Sequence, residues 1–191
     1  MENTQRKGII VKGRSGDPES IYDTFVYLNT ASSQQILFQT FAGKTLDLTN
    51  MTDSGKLPTG KSLVTHSFNV YLYAPAVLNN AKTLKLFDFL ARTSVEFVKE
   101  NRAPTFSKTL QMLFGLTSLA QLVPTTAGDN VSGFPVPFFR GKMKIVSRAM
   151  DLGANQTFFV RQTTFAALDA DLNTIQIRYE LDGLMSKKIT E

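Results

Sequence analysis

The chain has 191 residues, 42% of them apolar and 15 of them Phe, with a formal charge of +5 from 21 basic and 16 acidic side chains. That length suits one domain able to bury about 70% of its unfolded surface, and so small a basic excess fits an ordinary solvated surface with room for one basic face. With no Cys and a single His, the sequence excludes disulfides, thiolate metal sites, cysteine nucleophiles and two-His metal motifs, and any serine triad would have to use His66.

In chain order, Met1–Ser20 comes first, with Arg6, Lys7, Lys12 and Arg14 among Gly13, Gly16 and Pro18. It reads as a flexible basic arm, and its short GIIV patch is too small for a leader or a membrane span. The chain is therefore expected to be soluble and not exported by a signal peptide. Ile21–Asn29 and Gln35–Phe41 read as strands. A turn-rich segment then leads to a long strand over Leu63–Tyr73, where Val64, His66, Phe68, Val70 and Leu72 share one parity. On that parity His66 is expected to be structural. The spacing of Leu84, Phe87 and Ala91 predicts a helix over Asn79–Ala91, and Ser94–Lys99 is strand-like. Ser107–Ala120 fits helix and strand equally, and Val123–Pro137 has the Pro, Gly and Asn of a long loop. In the last third Met143 and Ile145 alternate with lysines, Gln156–Thr163 reads as a strand, and Ile175, Ile177, Tyr179 and Leu181 alternate with polar residues.

Three motifs invite a chemical reading. GKLPTGKS, Gly55–Ser62, satisfies G-x-x-x-x-G-K-[ST], in which Lys61 would reach terminal phosphates and Ser62 would hold magnesium. The motif needs a buried strand before it and a helix after it. Here a polar turn precedes and a strand follows, and Pro58 removes an amide donor. The segment is expected to be the turn feeding Leu63–Tyr73. DADLNTIQIRYE places Asp169, Asp171, Asn173 and Glu180 at ligand positions of a calcium loop, but Thr174 stands where glycine is needed and a strand occupies its second half. A polar turn between strands is expected instead. The glycosylation patterns at Asn50, Asn130 and Asn155 read as turn residues.

Many strands punctuated by Gly, Pro, Asn and Asp, with one or two short helices, predict an all-β fold: a single jelly-roll sandwich of two antiparallel sheets over residues 21–191, after an arm over 1–20. The run LTNMTDSGKLPTGKSLVTHSFNVYLYAP, followed by LGANQTFFV and IQIRYELDGLMSKK, resembles the jelly-roll capsid proteins of small icosahedral tailless bacteriophages. The corresponding segments are Thr49–Pro58, Ala154–Val160 and Leu181–Gly183, in the family's order, within a resemblance running from about residue 35 to 188.

The resemblance implies a virion structural protein that self-assembles into an icosahedral shell after synthesis in the host cytoplasm. It carries no catalytic residue, cofactor or metal over to this chain. Its implied partners are copies of itself and other capsid proteins, with genome or internal lipid for the basic arm. Some relatives hold two jelly rolls; this chain has room for one, as a main shell subunit, a fivefold-vertex protein or a minor component. A non-enzymatic β-sandwich binding nucleic acid or carbohydrate is the alternative. Lys142, Lys144, Arg148 and Arg161 lie near Phe138, Phe139 and Phe159 in the sequence, as a nucleic-acid face would need, although the strands need those Phe residues for a core. The absence of Trp counts against a sugar site.

Overall fold

The structure, a computed structural model, describes residues 16–39, 43–73, 80–116, 137–144, 150–166 and 169–187. Among the described residues eight strands follow one another: β1 (Gly16–Val26), β2 (Gln34–Leu37), β3 (Lys61–Tyr73), β4 (Thr93–Lys99), β5 (Phe106–Thr109), β6 (Pro137–Lys144), β7 (Phe158–Thr164) and β8 (Gln176–Lys187). Helix α1 (Asn80–Ala91) joins β3 to β4, and the one-turn helix α2 (Leu110–Phe114) follows β5. The strands form two four-stranded sheets, ordered β1-β8-β3-β6 and β2-β7-β4-β5. Every pairing is antiparallel, and the first strand pairs with the eighth, the second with the seventh, the third with the sixth and the fourth with the fifth. These pairs nest around the β4–β5 hairpin, and the β3–β8 and β4–β7 pairings assemble them into the two sheets.

One apolar core lies between the sheets. Phe68 of β3 meets Phe106 of β5 edge-on at 5.1 Å, and the Tyr179 hydroxyl of β8 donates to Gln162 of β7. Tyr27, just after β1, packs against Phe89 of α1 at 5.1 Å, closing one end. Burial pushes the Tyr179 phenol well above its usual range, so it remains a donor to the buried Gln162 amide.

Strand β3 does not keep the single parity expected of it. Leu63 and Thr65 point inward in its first half and Phe68, Val70 and Leu72 in its second, while Val64 and His66 are exposed. A bulge makes the change: Thr65 pairs with Gly183 and Ser67 with Asp182, leaving His66 as the extra residue. The expected structural role of His66 within the apolar face is corrected to an exposed bulge position.

Strand β1 begins at Gly16, so Gly16–Ser20 of the expected arm are paired strand, opposite Asp182–Ser186 of β8. Pro18 is tolerated there because β1 is an edge strand and a proline's missing N–H costs no ladder bond on the open side. Residues 1–15 of the arm lie outside the described residues, as do most of the Val123–Pro137 loop, Asn130 and Arg148. Strand β2 stops at Leu37 because buried Phe38 turns to φ +68, its N–H donating to the Asp23 carboxylate at 2.6 Å.

The helix over 80–91 forms as expected but on another face: Leu86, Phe89 and Leu90 are buried, while Leu84 is 57% exposed. The ambiguous stretch after Ser107 holds both structures. β5 ends at Thr109, whose side chain accepts from Met112 N and caps α2, and Gly115 at φ +68 closes that helix.

The bulge dictates a glycine on β8. A Cβ at Gly183 would stand 2.1 Å from the Val64 carbonyl oxygen, whereas one at Gly60, φ +78, would meet nothing within 4 Å. Gly183→Ala is therefore expected to cost about 3 kcal/mol, by displacing the central strand pair, and Gly60→Ala only about 1 kcal/mol of backbone strain. Urea unfolding of the two variants checks the ranking, and equal midpoints would show that the β3–β8 register yields freely.

Candidate interaction face

The motif residues named by the sequence are engaged within the fold. Lys61 and Ser62 are the first residues of β3, with no helix after them. Amides at both ends of the turn are in use: Gly55 N donates to Phe38 O at 2.6 Å and Lys61 N to Pro58 O at 3.0 Å. Lys61 Nζ lies 3.8 Å from Glu19, and the Ser62 hydroxyl lies 2.7 Å from that of Ser186. This is the expected turn before a strand, and the helix that a phosphate loop places after its Lys-Ser pair is here the strand β3.

In the calcium-like segment Asp169 caps a 3-10 turn over Ala170–Leu172. The Lys85 ammonium of α1 sits between two of the would-be ligands, 2.8 Å from Asp169 and 2.5 Å from Asp171. Glu180 faces elsewhere, accepting from Asn69 Nδ2 at 2.9 Å. Among the described residues, no group of three or more His, Asp or Glu is placed to hold a metal ion. Asn50 is more than a turn residue: its side chain accepts from Tyr22 N and donates to Ser20 O, both at 2.8 Å, covering the open edge of β1. Asn155 does occupy a turn, at φ +66.

The proposed basic cluster divides. Lys142 and Lys144 are exposed on β6, whereas Arg161 lies on β7 in the other sheet, clamped at 2.7 Å by Glu96.

What the fold does bring together is the outer face of the β1-β8-β3-β6 sheet. Strand registers place its residues in level rows: Lys144, Ser67 and Asp182; Lys142, Asn69 and Glu180; Arg140, Tyr71 and Arg178. In the last row the Arg140 guanidinium lies 5.3 Å from the Tyr71 ring centre, and that of Arg178 lies 4.6 Å from Tyr22 and 5.5 Å from Tyr73. Arg178 also donates to Thr24 Oγ1 and to the Asp47 carbonyl. Burial, and then the nearby Glu180 charge, raise the Tyr71 phenol above its ordinary value, keeping it a neutral donor toward Glu180 at 3.3 Å. Ser67 and Asn69, between the charged strands, are buried, and Asn69 Oδ1 has no hydrogen-bond partner.

Tyr and Arg flanked by charge is the composition of an energetically important protein contact. Sequence reasoning missed this face because its members come from four strands and meet only through the register. Compared with protein-family models, curated proteins and solved structures, the chain matches none.

Two measurements probe the motif assignments. A true phosphate loop, with Mg-ATP at a hundred times its dissociation constant, would add about 2.7 kcal/mol of stability. The melting temperature is instead expected not to move with Mg-ATP or with Lys61→Ala, and a nucleotide-dependent rise abolished by that substitution would restore the phosphate-loop reading. The Lys85 clamp gives a pH signature. Its two carboxylates raise Lys85 to about 12, and Lys85 holds Asp169 below 3.8. The depressed carboxyl stabilises above its ordinary value and loses that contribution as pH falls through its folded pKa; the raised ammonium stabilises below 10.5 and loses its contribution as pH rises through about 12. The small difference in melting temperature between wild type and Lys85→Met should therefore stay constant from about pH 4 to 10 and shrink on either side. A difference that varies within that window would mean that another group governs it.

Proposed function

We propose that this chain is a virion structural protein, a capsid subunit of jelly-roll type whose activity is self-assembly. One observation carries the reading: the first-with-eighth to fourth-with-fifth pairing, split over two four-stranded sheets, is the pairing that a ribbon wrapped as a double Greek key would have. That is the architecture implied by the resemblance of Thr49–Pro58, Ala154–Val160 and Leu181–Gly183 to phage capsid proteins.

The roles of those segments support the same reading. Asn50 covers the β1 edge. Gly55 O accepts from Phe158 N at 2.8 Å, joining the turn before β3 to the start of β7. Gln156 ties its own turn at Gly153 to Glu100 beyond β4. Gly183 admits the bulge. Each is a device for holding long connections on a sandwich, and connections held in this way can serve as contacts between neighbouring subunits. The alternative of a nucleic-acid or carbohydrate binder draws on the tyrosines of the outer face, but Arg140 and Arg178 already lie over Tyr71, Tyr22 and Tyr73, and the Glu180 and Asp182 carboxylates stand beside them.

Analytical ultracentrifugation over a wide concentration range, with electron microscopy of the concentrated fractions, tests the proposal. Concentration-dependent oligomers, and ring or shell fragments, are expected. A single 21.2 kDa species at every concentration and salt would rule out a chain that assembles by itself.

A further inference from the structure

The outer face of the β1-β8-β3-β6 sheet has a charge pattern with a direction. Its edge strand β6 carries Arg140, Lys142 and Lys144, all exposed, and β8 carries Glu180 and Asp182, with β3 between them. Adjacent strands lie about 4.8 Å apart, so the basic and acidic rows are about 10 Å apart. The two rows are also in step: Lys142 and Glu180 stand level at Asn69, and Lys144 and Asp182 stand level at Ser67.

A two-fold axis lying over β3 and parallel to it exchanges left and right across the sheet while preserving the level along the strand. It therefore sets β6 of one copy over β8 of the other. Resting on the reading of this chain as an assembling subunit, we propose that this face is an isologous interface with a second copy, in which Lys142 meets Glu180 and Lys144 meets Asp182 of the partner. The same operation brings Tyr71 over its own symmetry mate, placing an aromatic at the centre of the contact, where strong interface residues concentrate. It also sets Arg140 over the partner's Arg178. Within its own chain each of these guanidiniums is engaged by a tyrosine ring, Arg140 by Tyr71 and Arg178 by Tyr22, and Arg178 is held as well by Thr24 and the Asp47 carbonyl.

A nucleic acid fits this face less well. Glu180 and Asp182 would repel phosphates, and the tyrosine rings are already stacked. A second copy satisfies both signs at once, because a self-complementary surface is what a two-fold contact requires.

Charge reversal on the full-length chain tests the arrangement. Lys142→Glu with Lys144→Glu alters only exposed side chains and is expected to weaken self-association by about tenfold or more, because like charges then face each other. Glu180→Lys with Asp182→Lys should do the same. An equimolar mixture of the two variants should associate again, since each reversed row then finds its complement. Wild-type assembly that survives either reversal would overturn this interface and leave the assembling-subunit reading standing; a wild type that stays monomeric throughout would remove both.

Glu180 also holds Asn69 and Tyr71 within the fold, so a second measurement avoids altering it. Zero-length carbodiimide cross-linking of mixed isotope-labelled and unlabelled wild-type protein should give Lys142–Glu180 and Lys144–Asp182 peptides containing one labelled and one unlabelled half. Cross-links confined to other positions, or never of mixed label, would refute the two-fold arrangement.

Discussion

The sandwich depends on a one-residue irregularity in its central strand pair. β3 and β8 run antiparallel from Lys61 opposite Lys187 to Tyr73 opposite Gln176, and the bulge at His66 falls within that run. Because side chains alternate with a period of two, an unbroken β3 that buried Phe68, Val70 and Leu72 would turn Leu63 and Thr65 to solvent and bring Val64 and His66 inside. The extra residue allows both halves of the strand to face the core. It also reaches across the sheet: the bulged backbone presses the Val64 carbonyl toward β8, which can accept it only at Gly183. Thr65, freed from the simple ladder, bonds instead to the 150–151 segment, its N–H donating to Asp151 Oδ1 at 3.0 Å and its hydroxyl to Met150 O at 2.9 Å.

A second constraint operates at the seam between the sheets. The Asp23 carboxylate is fully buried and accepts from Thr24 N, from Phe38 N at 2.6 Å and from the Lys44 ammonium at 2.6 Å. It thereby joins the edge strand of one sheet to the end of β2 in the other and to the connection that follows. Burying such a pair is costly unless the remaining acceptor sites are filled, and here backbone amides fill them. The arrangement specifies where β2 stops. Phe38 adopts a left-handed backbone that a bulky residue rarely takes, in a place where its amide has a charged acceptor and its ring packs on Phe158 at 5.5 Å.

Much of this architecture was legible in the sequence because alternation is a local signal. Ile175, Ile177, Tyr179 and Leu181 announce β8, and the long strand after the turn is plain from Leu63 to Tyr73. Features decided by non-local contact were not legible. The bulge leaves no mark in β3 itself, where His66 falls on the apolar parity; its signal is Gly183, more than a hundred residues later. Gly16–Ser20 have the composition of a loop and are strand because β8 runs on to Lys187 and offers them a partner. The buried face of α1 follows Leu86, Phe89 and Leu90, a valid helical spacing that competes with the one through Leu84 and Phe87, and only docking against the core chooses between them. The candidate face was hidden for the same reason. Lys142, Asn69 and Glu180 lie far apart along the chain and become neighbours only once two strand registers are known.

The recognisable motifs and the candidate face therefore answer different questions. Asn50, Gly55, Gln156 and Gly183 cover an edge, tie connections together or admit a bulge, and any sandwich wrapped in this way benefits from such devices whatever it binds. They therefore bear first on how the strands are connected, and only the charged face bears on what the chain meets. The basic row on β6 is different: Lys142 and Lys144 are exposed, and a solvated outer edge would be stable with short polar residues at those positions. Rows of opposite sign, level with each other on either side of one strand, add little within a single chain, since exposed charges about 10 Å apart interact weakly through water and salt. Set over a second copy, each charge gains a near partner and the aromatic centre is shielded from solvent. On the two-fold arrangement proposed above, the pattern would serve association, and the structural motifs would hold in register the sheet that displays it.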